Sequence, residues 1–419
     1  MFVRRLLQTH DIPDGWCVEL LDNLAKRGSG HTPNKKVPEY WNGGVKWISL
    51  ADSDQLDNLY ISETKKEISE QGLANSSAVR YPAGIVALSR DAGVGKSAIT
   101  TCEMAVSQHF IVWECHHSLN NHFLYYWLQF MKPEFERIAV GSTIKTIGLP
   151  YFERLRILCP PRQEQDQIVA ILLQYSKAIA LAERRIEAAR QRKKGLMQRL
   201  LTGRVRFPEF VRSEDRQETK FGNLPIDWKV VPLQRLVKPT SRLEAIQPGG
   251  EIRLIGVKWY VAGAHIHSVL LGQDIKTASL SRVEENDIIY NKMWTTKAAF
   301  AVAKPEHSGA YGTTEYPQFR AKENMLLVGF LEYIFHLARF QYEATALCRG
   351  TTGRARLNPR DFLKLEIPLP SLEEQRRITT VVQTFDREIK LLTQKRNALQ
   401  RQKKGLMQRL LTGRVRVNV

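Results

Sequence analysis

Residues 193–206 read KKGLMQRLLTGRVR, and residues 403–416 read the same fourteen letters 210 positions later. An identity of this length indicates a duplicated module, which divides the 419-residue chain into two halves. Shorter matches extend outward at nearly the same offset: Pro160 with Pro370, Glu164-Gln165 with Glu374-Gln375, Pro13-x-x-Trp16 with Pro225-x-x-Trp228, and GVKW at 44–47 with GVKW at 256–259. Between these anchors the halves differ widely. Either the two halves share one architecture and bind different partners, or they are the product of an old duplication whose sequences have since diverged.

The charge of the chain is strongly one-sided. The net charge is +19, and 15 of these excess positive charges fall in residues 183–206 and 386–416. Such an excess favours a polyanionic partner, nucleic acid first and a membrane surface second, although a solvated helix face also explains a run of charges. No apolar run approaches the ~18 residues of a membrane span, and residues 1–10 are not followed by the apolar stretch of a secretory signal. Five scattered cysteines without a C-x-x-C fit a reducing cytoplasm.

Each half ends in a predicted helix of about 38 residues, roughly 57 Å at 1.5 Å per residue. Its apolar positions alternate at spacings of four and three, which is the pattern of a coiled-coil seam. The seam positions are Ile168, Leu172, Tyr175, Ile179, Ala182, Ile186, Ala189, Lys193, Leu196 and Leu200 in the first helix, and Ile378, Val382, Phe385, Ile389, Leu392, Arg396, Leu399, Lys403, Leu406 and Leu410 in the second. Because the connector at 204–223 is short, we expect the two helices to bury each other as an antiparallel pair.

The ends and middles of these helices carry further signals. Ser371-x-x-Glu374 predicts a capping box at the start of the second helix, and Gly203 and Gly413 are placed as C-caps. Gly195 and Gly405 lie inside the helices, at a cost of about 1 kcal/mol each relative to Ala. They indicate either close approach of a neighbouring backbone or a local break.

The rest of each half is predicted to be an α+β domain. Short apolar or β-branched runs between turn residues predict strands at 45–50, 84–88, 111–114, 252–257, 287–290 and 365–369. Aromatic stretches at 120–130 and 326–340 have a helical pattern, so each domain is predicted to be mostly strands with one or two helices.

Motifs for catalysis or metal binding are weak. Residues 91–97 read DAGVGKS, but a phosphate-binding P-loop needs glycine where Arg90 stands, so a glycine-rich turn between strands is favoured. Cys115-His116-His117 with His122 matches no zinc spacing, and the second half lacks it, so no metal site is predicted. The chain shows no catalytic constellation.

A second set of residues points to nucleic acid. Small, hydroxylated and basic residues lie just before each long helix, and further cations lie in loop-like stretches; such groups suit phosphates, and Arg also reads guanine edges. Each alone is more often a surface charge than a base reader. The DNA-binding candidates are Lys46, Arg90, Lys96, Ser142, Thr143, Lys145, Lys258, Asn291, Lys292, Lys297, Thr351, Thr352, Arg354 and Arg356.

This layout resembles the specificity (S) subunit of type I restriction–modification systems over essentially the whole chain. The most specific points are the Pro-Pro or Leu-Pro strand ends before Glu-Gln at 158–168 and 369–378, the GLMQRLLTGRVR ending of both helices and the Pro-x-x-Trp openings. With the resemblance, the sequence predicts target-recognition domains at 1–160 and 224–370, spacer helices at 161–206 and 371–416, a linker at 207–223 and an internal pseudo-twofold symmetry.

The resemblance also implies how such a chain works. Each domain reads one half of a split site on double-stranded DNA, the helices set the unspecified spacer, and the subunit catalyses nothing itself. Two methyltransferase (M) subunits dock on the helices and motor-nuclease (R) subunits complete the complex in a prokaryotic cytoplasm. S-adenosylmethionine is held by M, and ATP and Mg²⁺ by R, so no cofactor is expected on this chain. The alternatives are a stand-alone duplex-DNA-binding coiled-coil regulator and an enzyme acting through the GVGKS segment.

Overall fold

The computed structural model describes residues 12–350 and 355–417 and divides into two compact units. Unit 1 joins the chain up to Arg184 with the stretch from Thr393 onward, and unit 2 is Arg185–Leu392. Each unit combines β-sheets with helices, so the α+β fold class is confirmed. Both division points fall inside long helices.

Unit 1 is built on two mixed sheets and a short strand pair. The sheet orders are β2-β10-β7-β8-β4 and β5-β3-β9-β6, and β1 pairs with β11. The strands are β1 (Cys17–Leu20), β2 (Ala25–Ser29), β3 (Trp41–Ile48), β4 (Tyr60–Ile61), β5 (Glu67–Ile68), β6 (Arg80–Tyr81), β7 (Val86–Ser89), β8 (Ser97–Thr100), β9 (Met104–Val106), β10 (Phe110–Cys115) and β11 (Arg156–Cys159). The helices are α1 (Leu21–Leu24), α2 (Glu70–Ala74), α3 (Asn121–Ile138) and α4 (Leu149–Glu153).

Helix α3 supplies much of the core of unit 1. It begins where the side chain of Asn120 accepts hydrogen bonds from the backbone N–H groups of His122 and Phe123. The helix buries aromatic and aliphatic side chains, among them Phe123, Trp127 and Phe135. Fully burying a side chain of this size contributes roughly 1.5–3 kcal/mol. The helix predicted at 120–130 is therefore confirmed, and it continues to Ile138.

Unit 2 has its own two larger sheets, of order β15-β23-β20-β21 and β16-β19-β22-β17-β18, with β12 paired to β13 and β14 to β24. The strands are β12 (Arg216–Thr219), β13 (Gly222–Pro225), β14 (Lys229–Pro232), β15 (Val237–Thr240), β16 (Leu243–Ala245), β17 (Glu251–Val257), β18 (Ala264–Leu271), β19 (Ser279–Arg282), β20 (Ile288–Tyr290), β21 (Phe300–Val302), β22 (Tyr311–Gly312), β23 (Gln318–Ala321) and β24 (Glu366–Leu369). The helices are α6 (Leu233–Leu236), α7 (Val328–Ile334), α8 (Ala338–Ala346) and α9 (Pro359–Phe362). The six predicted strands overlap β3, β7, β10, β17, β20 and β24.

The stretch predicted at 326–340 is helical, and it forms two helices, α7 and α8, rather than one continuous helix. Phe335 and Phe340 are both fully buried and lie 5.2 and 5.4 Å from the ring of Phe300. In one continuous helix, two residues five apart would point roughly 140° away from each other. The break lets both rings enter the same core.

Two long helices follow these domains, α5 (Arg162–Leu201, 40 residues) and α10 (Leu372–Leu410, 39 residues). Both are continuous through the internal glycines, and a methyl group added at Gly195 or Gly405 would meet none of the described residues within 4 Å. Neither alternative predicted for these glycines is therefore correct: no backbone approaches them and the helix does not break.

The predicted seam positions of both helices are buried or half-buried, whereas Leu181 and Leu391, which lie off the seam, are exposed. Ile168 and Leu172 belong to the core of unit 1, together with Leu410 from the end of α10. Ile378 and Val382 belong to the core of unit 2, together with Leu200 from the end of α5. Each core thus combines the start of one long helix with the end of the other.

The repeated sequence anchors meet in one contact site per unit. In unit 1 the indole N–H of Trp16 donates to Glu164 at 3.0 Å, and Arg416 donates to the same carboxylate at 2.7 and 2.9 Å. In unit 2 Trp228 donates to Glu374 at 3.1 Å, and the partner arginine comes from the other copy of the GRVR ending. We call these two groups the closure sites: Trp16–Glu164–Arg416 and Trp228–Glu374–Arg206.

The helix ends explain the glycines of the repeat. Gly203 and Gly413 follow the last helical turns with φ of +61° and +67°, which confirms them as left-handed C-caps. An added Cβ would come within 2.5 Å of Pro225 at Gly203 and within 2.3 Å of Pro13 at Gly413. The glycine of each GRVR ending thus lies against the proline of a Pro-x-x-Trp opening.

The capping box predicted at the start of α10 is only half formed. Ser371 Oγ accepts from the backbone N–H of Glu374 at 3.3 Å. The Glu374 carboxylate binds Trp228 and Arg206 instead of returning to the backbone of Ser371. Charge-assisted bonds to an arginine are stronger than a bond to a neutral N–H, so the tertiary partner wins.

The predicted linker at 207–223 contains β12 and the first half of β13, which pair as a hairpin. Gln217 fixes this hairpin, because its side-chain amide donates to the carbonyls of Pro225 and Trp228 at 3.1 and 2.6 Å. In residues 12–350 and 355–417, no helix has the length and apolarity to cross a membrane.

Candidate nucleic-acid interface

The glycine-rich segment of unit 1 is a turn in a β-hairpin. It joins β7 to β8, which pair antiparallel, and Gly93 and Gly95 have φ of +133° and +85°. The turn closes where Ser89 accepts from the N–H of Gly95 at 2.9 Å. A strand follows it rather than the helix that a P-loop requires, so the predicted turn between strands is confirmed.

Three of the candidates lie in an exposed loop next to this turn. Ser142, Thr143 and Lys145 are exposed. The loop is held by backbone bonds from Ala92 N to the Lys145 carbonyl at 3.1 Å and from Ile147 N to the Arg90 carbonyl at 3.0 Å. The hydroxyl of Thr146, just past the loop, also donates to Asp91.

Arg90 joins this group. Its Nε lies 3.6 Å from Asp91 Oδ1 and finds no hydrogen-bond partner anywhere in the part of the chain that the structure describes. The guanidinium of Arg90 and the exposed groups of Ser142, Thr143 and Lys145 therefore belong to neighbouring loops of unit 1. Such groups bind phosphate oxygens.

Two other cations of unit 1 are already engaged by the protein. Lys46 Nζ donates to the Ser62 carbonyl at 2.6 Å and to Glu63 at 2.9 Å, and the hydrogen bond that it donates to Glu63 raises the pKa of Lys46. Lys96 Nζ donates to the carbonyl of Ser53 at 2.7 Å. A phosphate would have to compete with these bonds, so both lysines are weaker candidates than Lys145.

In unit 2 the corresponding candidates gather around the turn that follows β17. Lys258 and Lys297 are exposed. Their loops are joined by bonds from Tyr260 N to the Lys297 carbonyl at 2.7 Å and from Val261 N to the Ala298 carbonyl at 2.9 Å. The two ammonium groups are thus held on neighbouring loops.

Asn291 and Lys292 serve the structure of unit 2. Asn291 is buried, and its side-chain oxygen accepts from the N–H groups of Met293 and Trp294 at 2.9 and 3.3 Å. Lys292 lies 3.8 Å from Glu315, whose carboxylate also binds Arg356 at 2.9 Å. The asparagine shapes the turn, while the two cations share one carboxylate.

The hydroxylated segment before α10 is described only in part. Thr351, Thr352 and Arg354 lie outside the described residues. The segment returns at Arg356, whose N–H donates to the Arg349 carbonyl, and the N–H of Leu357 donates to the Lys292 carbonyl at 3.1 Å. Leu357, just past this segment, therefore lies beside the loop that carries Lys292.

The sequence prediction missed three exposed aromatic residues in unit 2. Trp259 and Tyr260 follow Lys258 in the turn after β17, and the ring of Trp294 lies 5.0 Å from that of Trp259. The letters KWY before Gly263 could have signalled them, since large aromatic residues in a loop are unusual. The matching GVKW of unit 1 is no guide, because Trp47 is buried.

Among the residues that the structure describes, no group of three or more His, Cys, Asp or Glu side chains converges on a possible metal position. His122, which the sequence left as a doubtful ligand, instead contacts Tyr60 at 2.8 Å and Asn121 at 2.7 Å. Its neighbours are thus a phenol and an amide.

Solved structures share this fold. The S subunit of a type I restriction-modification system from M. genitalium covers 96% of this chain and 97% of its own, with a TM-score of 0.55 at 14% identity. A chain from work on complex assembly and conformational transition of the type I R-M system covers 97% of this chain and 100% of its own, with a TM-score of 0.60 at 15% identity. At such identities the likeness concerns the fold alone.

Proteins of similar sequence belong to the same group as these structural neighbours. The specificity subunit of the type I restriction enzyme MjaVIII from Methanocaldococcus jannaschii is 24% identical over 422 residues, which covers 97% of this chain and 94% of the relative. The specificity subunit of MjaIX from the same organism is 24% identical over 292 residues, covering 67% of each chain. Residues 13–191 and 225–401 each match the type I restriction modification DNA specificity domain. With two copies of that domain over most of its length, the chain belongs to the type I restriction modification DNA specificity family.

Proposed function

We propose that this chain is the DNA specificity subunit of a type I restriction–modification complex, and that each unit reads one half of a bipartite site. The observation that carries the proposal is the pair of DNA specificity domains, at 13–191 and 225–401, in one chain. Two domains that differ widely between shared anchors fit the reading of two unrelated half-sites. This pairing does not favour a free-standing regulator.

The candidate interfaces support contact with duplex DNA. In unit 1 the loop of Ser142, Thr143 and Lys145 lies beside Arg90. In unit 2 Lys258 and Lys297 lie on joined loops. Cations and hydroxyls of this kind position a protein on the phosphate backbone, while base edges supply the sequence information.

We further propose that α5 and α10 form an antiparallel coiled coil that fixes the spacer between the half-sites. The contacts within unit 2 support this arrangement, since Arg192 pairs with Glu388 at 2.9 Å and Lys193 with Asp386 at 2.5 Å. Arg206, which follows the end of α5, pairs with Glu374, which lies near the start of α10. In these pairs the residue number of the first partner rises while that of the second falls, which is the pattern of two antiparallel helices. The matching closure sites support an internal pseudo-twofold symmetry.

The same proposal gives the partners and the location. Two M subunits bring S-adenosylmethionine and perform the methylation, R subunits bring ATP and Mg²⁺, and the complex works in a prokaryotic cytoplasm. This chain contributes recognition and no catalysis. The similarity to a chain solved in the context of complex assembly of a type I R-M system supports such partners.

Base-resolved methylation mapping tests the proposal. The chain is produced with its M subunit in a host without methylation, and its site is compared with that of a chimera in which 224–367 come from another specificity subunit. We expect only one half of the bipartite site to change, because unit 1 is untouched. A single undivided site, or a change in both halves, would contradict the proposal. Exchanging 13–157 is the matched control, and it should change the other half alone.

A further inference from the structure

The three exposed aromatic residues of unit 2 form one patch on its surface. Trp259, Tyr260 and Trp294 are 44%, 68% and 40% exposed. The Trp259 ring lies 5.0 Å from that of Trp294 and 6.5 Å from that of Tyr260. Single exposed apolar residues are common, but a cluster of large aromatic rings marks a contact surface. We call these three residues the aromatic patch.

The fold does not require this exposure. The same four letters, GVKW, end in Trp47 of unit 1, which is only 4% exposed and packs at 5.3 Å against Trp41. There strand β3 continues through the tryptophan, which pairs with Ala105. In unit 2 strand β17 ends at Val257, so Trp259 projects from a turn.

The turn is held in an unfavourable backbone conformation. Tyr260 and the β-branched Val261 have φ of +58° and +55°, a region that such residues rarely adopt. Their N–H groups are fixed by the carbonyls of Lys297 and Ala298, and Ala298 itself has a φ of +50°. Strain that is retained in this way fits a turn whose side chains are aimed at a ligand.

The charges around the patch identify the ligand. Lys258 precedes Trp259 directly and Lys297 follows Trp294 by three residues, and both lysines are exposed. Aromatic rings on two joined loops that also carry two exposed cations suit a groove of duplex DNA, where base edges are flanked by phosphate backbones. A purely apolar protein partner would leave the two ammonium groups without counter-charges.

We propose that the aromatic patch is the part of unit 2 that touches the bases of its half-site, with Lys258 and Lys297 on the flanking phosphates. This assignment rests on the proposed function, and it names the residues that carry specificity in unit 2. Unit 1 has a different surface at the matching sequence position, which fits the reading of a different half-site.

Binding by the complex with its M subunit tests the assignment. Affinity is measured for the site found by methylation mapping and for an unrelated duplex, across a range of salt concentrations. The variants are Trp259→Ala and Tyr260→Gly; the second removes the ring without adding strain, because glycine accepts a positive φ. The matched control is Tyr342→Ala, which removes an equally exposed ring, 66% against 68%, elsewhere in unit 2.

We expect each patch variant to weaken binding to the recognised site by roughly tenfold to a hundredfold, the range for losing the contacts to one base pair of a duplex site. Binding to the unrelated duplex and the salt slope should stay unchanged, because an apolar ring releases no counterions. Lys258→Ala and Lys297→Ala should weaken both duplexes alike and reduce the salt slope by about one each. Tyr342→Ala should change neither.

Wild-type affinity for the recognised site in both patch variants would overturn the assignment, and so would an equal loss on both duplexes. Those outcomes leave the proposed function standing, since the wild-type complex still prefers its site. A wild-type complex that prefers no duplex would remove the proposed function and this assignment together.

Discussion

Arg206 and Glu374 lie 168 residues apart along the chain, yet they join through two hydrogen bonds of 2.9 Å. Both side chains are almost fully buried, and the arginine also stands over the ring of Trp228. The copy in unit 1, Arg416 with Glu164, has the same bonds but leaves its arginine 43% exposed. The closure site of unit 2 is therefore less accessible to water than the closure site of unit 1.

Removing one partner of a buried pair leaves the other charge without compensation. Arg206→Ala should lower the free energy of unfolding of unit 2 by about 3 kcal/mol. Arg416→Ala should cost less, because water reaches its guanidinium. Calorimetry of the full chain measures both. Arg377→Ala is the control, since that exposed side chain lies over the ring of Phe207 and makes a long, 3.6 Å contact with the exposed Glu209; a similar loss in all three variants would contradict the expectation.

The halves also differ where a lysine of the seam meets an aromatic ring. In unit 2 Lys193 lies over Tyr333 and is bound by Asp386, which also accepts from the Tyr333 hydroxyl at 2.9 Å. In unit 1 Lys403 lies over Tyr126, whose hydroxyl meets Ser176 at 2.9 Å. Serine thus stands where the other copy has its carboxylate. Burial lowers the pKa of Lys403 from its ordinary value of 10.5.

Ser176→Asp should supply the missing carboxylate and stabilise unit 1 by up to about 1 kcal/mol at neutral pH. The wild-type chain should gain stability as pH rises between the folded and the unfolded pKa of Lys403, because the folded state holds fewer protons in that window. In the Ser176→Asp variant, stability should increase less with pH, because the new carboxylate favours the protonated form of Lys403. Thermal unfolding between pH 7 and 10 measures both effects. Asp386→Ser is the reciprocal control and should destabilise unit 2; a gain there would refute the comparison.

The internal glycines of the long helices have room for a side chain. Gly195→Ala and Gly405→Ala should each stabilise the chain by about 1 kcal/mol, because alanine has the higher helix propensity and meets no neighbour. Gly203→Ala is the contrast: its left-handed φ and the 2.5 Å approach to Pro225 predict a loss. Chemical denaturation of the three variants measures these changes in the free energy of unfolding. Destabilisation by either helix substitution would show that a neighbouring group occupies the space beside that glycine.

If the coiled coil sets the spacer, its length should be visible in the DNA site. Seven residues inserted in the middle of both helices keep the seam and add about 10 Å, or roughly three base pairs. Methylation mapping should find unchanged half-sites with a longer spacer. A two-residue insertion is the control, because it rotates the seam by roughly 200° and should abolish recognition. An unchanged spacer in the seven-residue variant would exclude the helices as the measuring element.

Much of the architecture could be predicted from local patterns. The alternation of four and three found the long helices, and Gly203 and Gly413 marked their ends, because both signals depend on neighbours in the chain. The same reasoning assigned Glu374 to a capping box, where the structure gives its carboxylate to Trp228 and Arg206. No local pattern distinguishes these uses, since the competing partners are distant in sequence.

The candidate site was predicted less completely than the fold. The loop of Lys145 lies beside Arg90, and the loops of Lys258 and Lys297 are joined by backbone hydrogen bonds. No local sequence pattern indicated that these segments would be in contact. Asn291 carried the right chemistry for reading adenine and turned out to shape a turn. Composition identifies which side chains can bind DNA, whereas their free hydrogen-bonding capacity depends on the folded neighbours.

By itself the sequence determined that this chain is a duplication with two long amphipathic helices and α+β domains, because repeats and hydrophobic periods are properties of residue order. Only the tertiary structure decided that Trp47 is buried while Trp259 is exposed, although both end the same four letters. Burial depends on what packs against a residue: strand β3 carries Trp47 into a core, and the end of β17 leaves Trp259 at the surface.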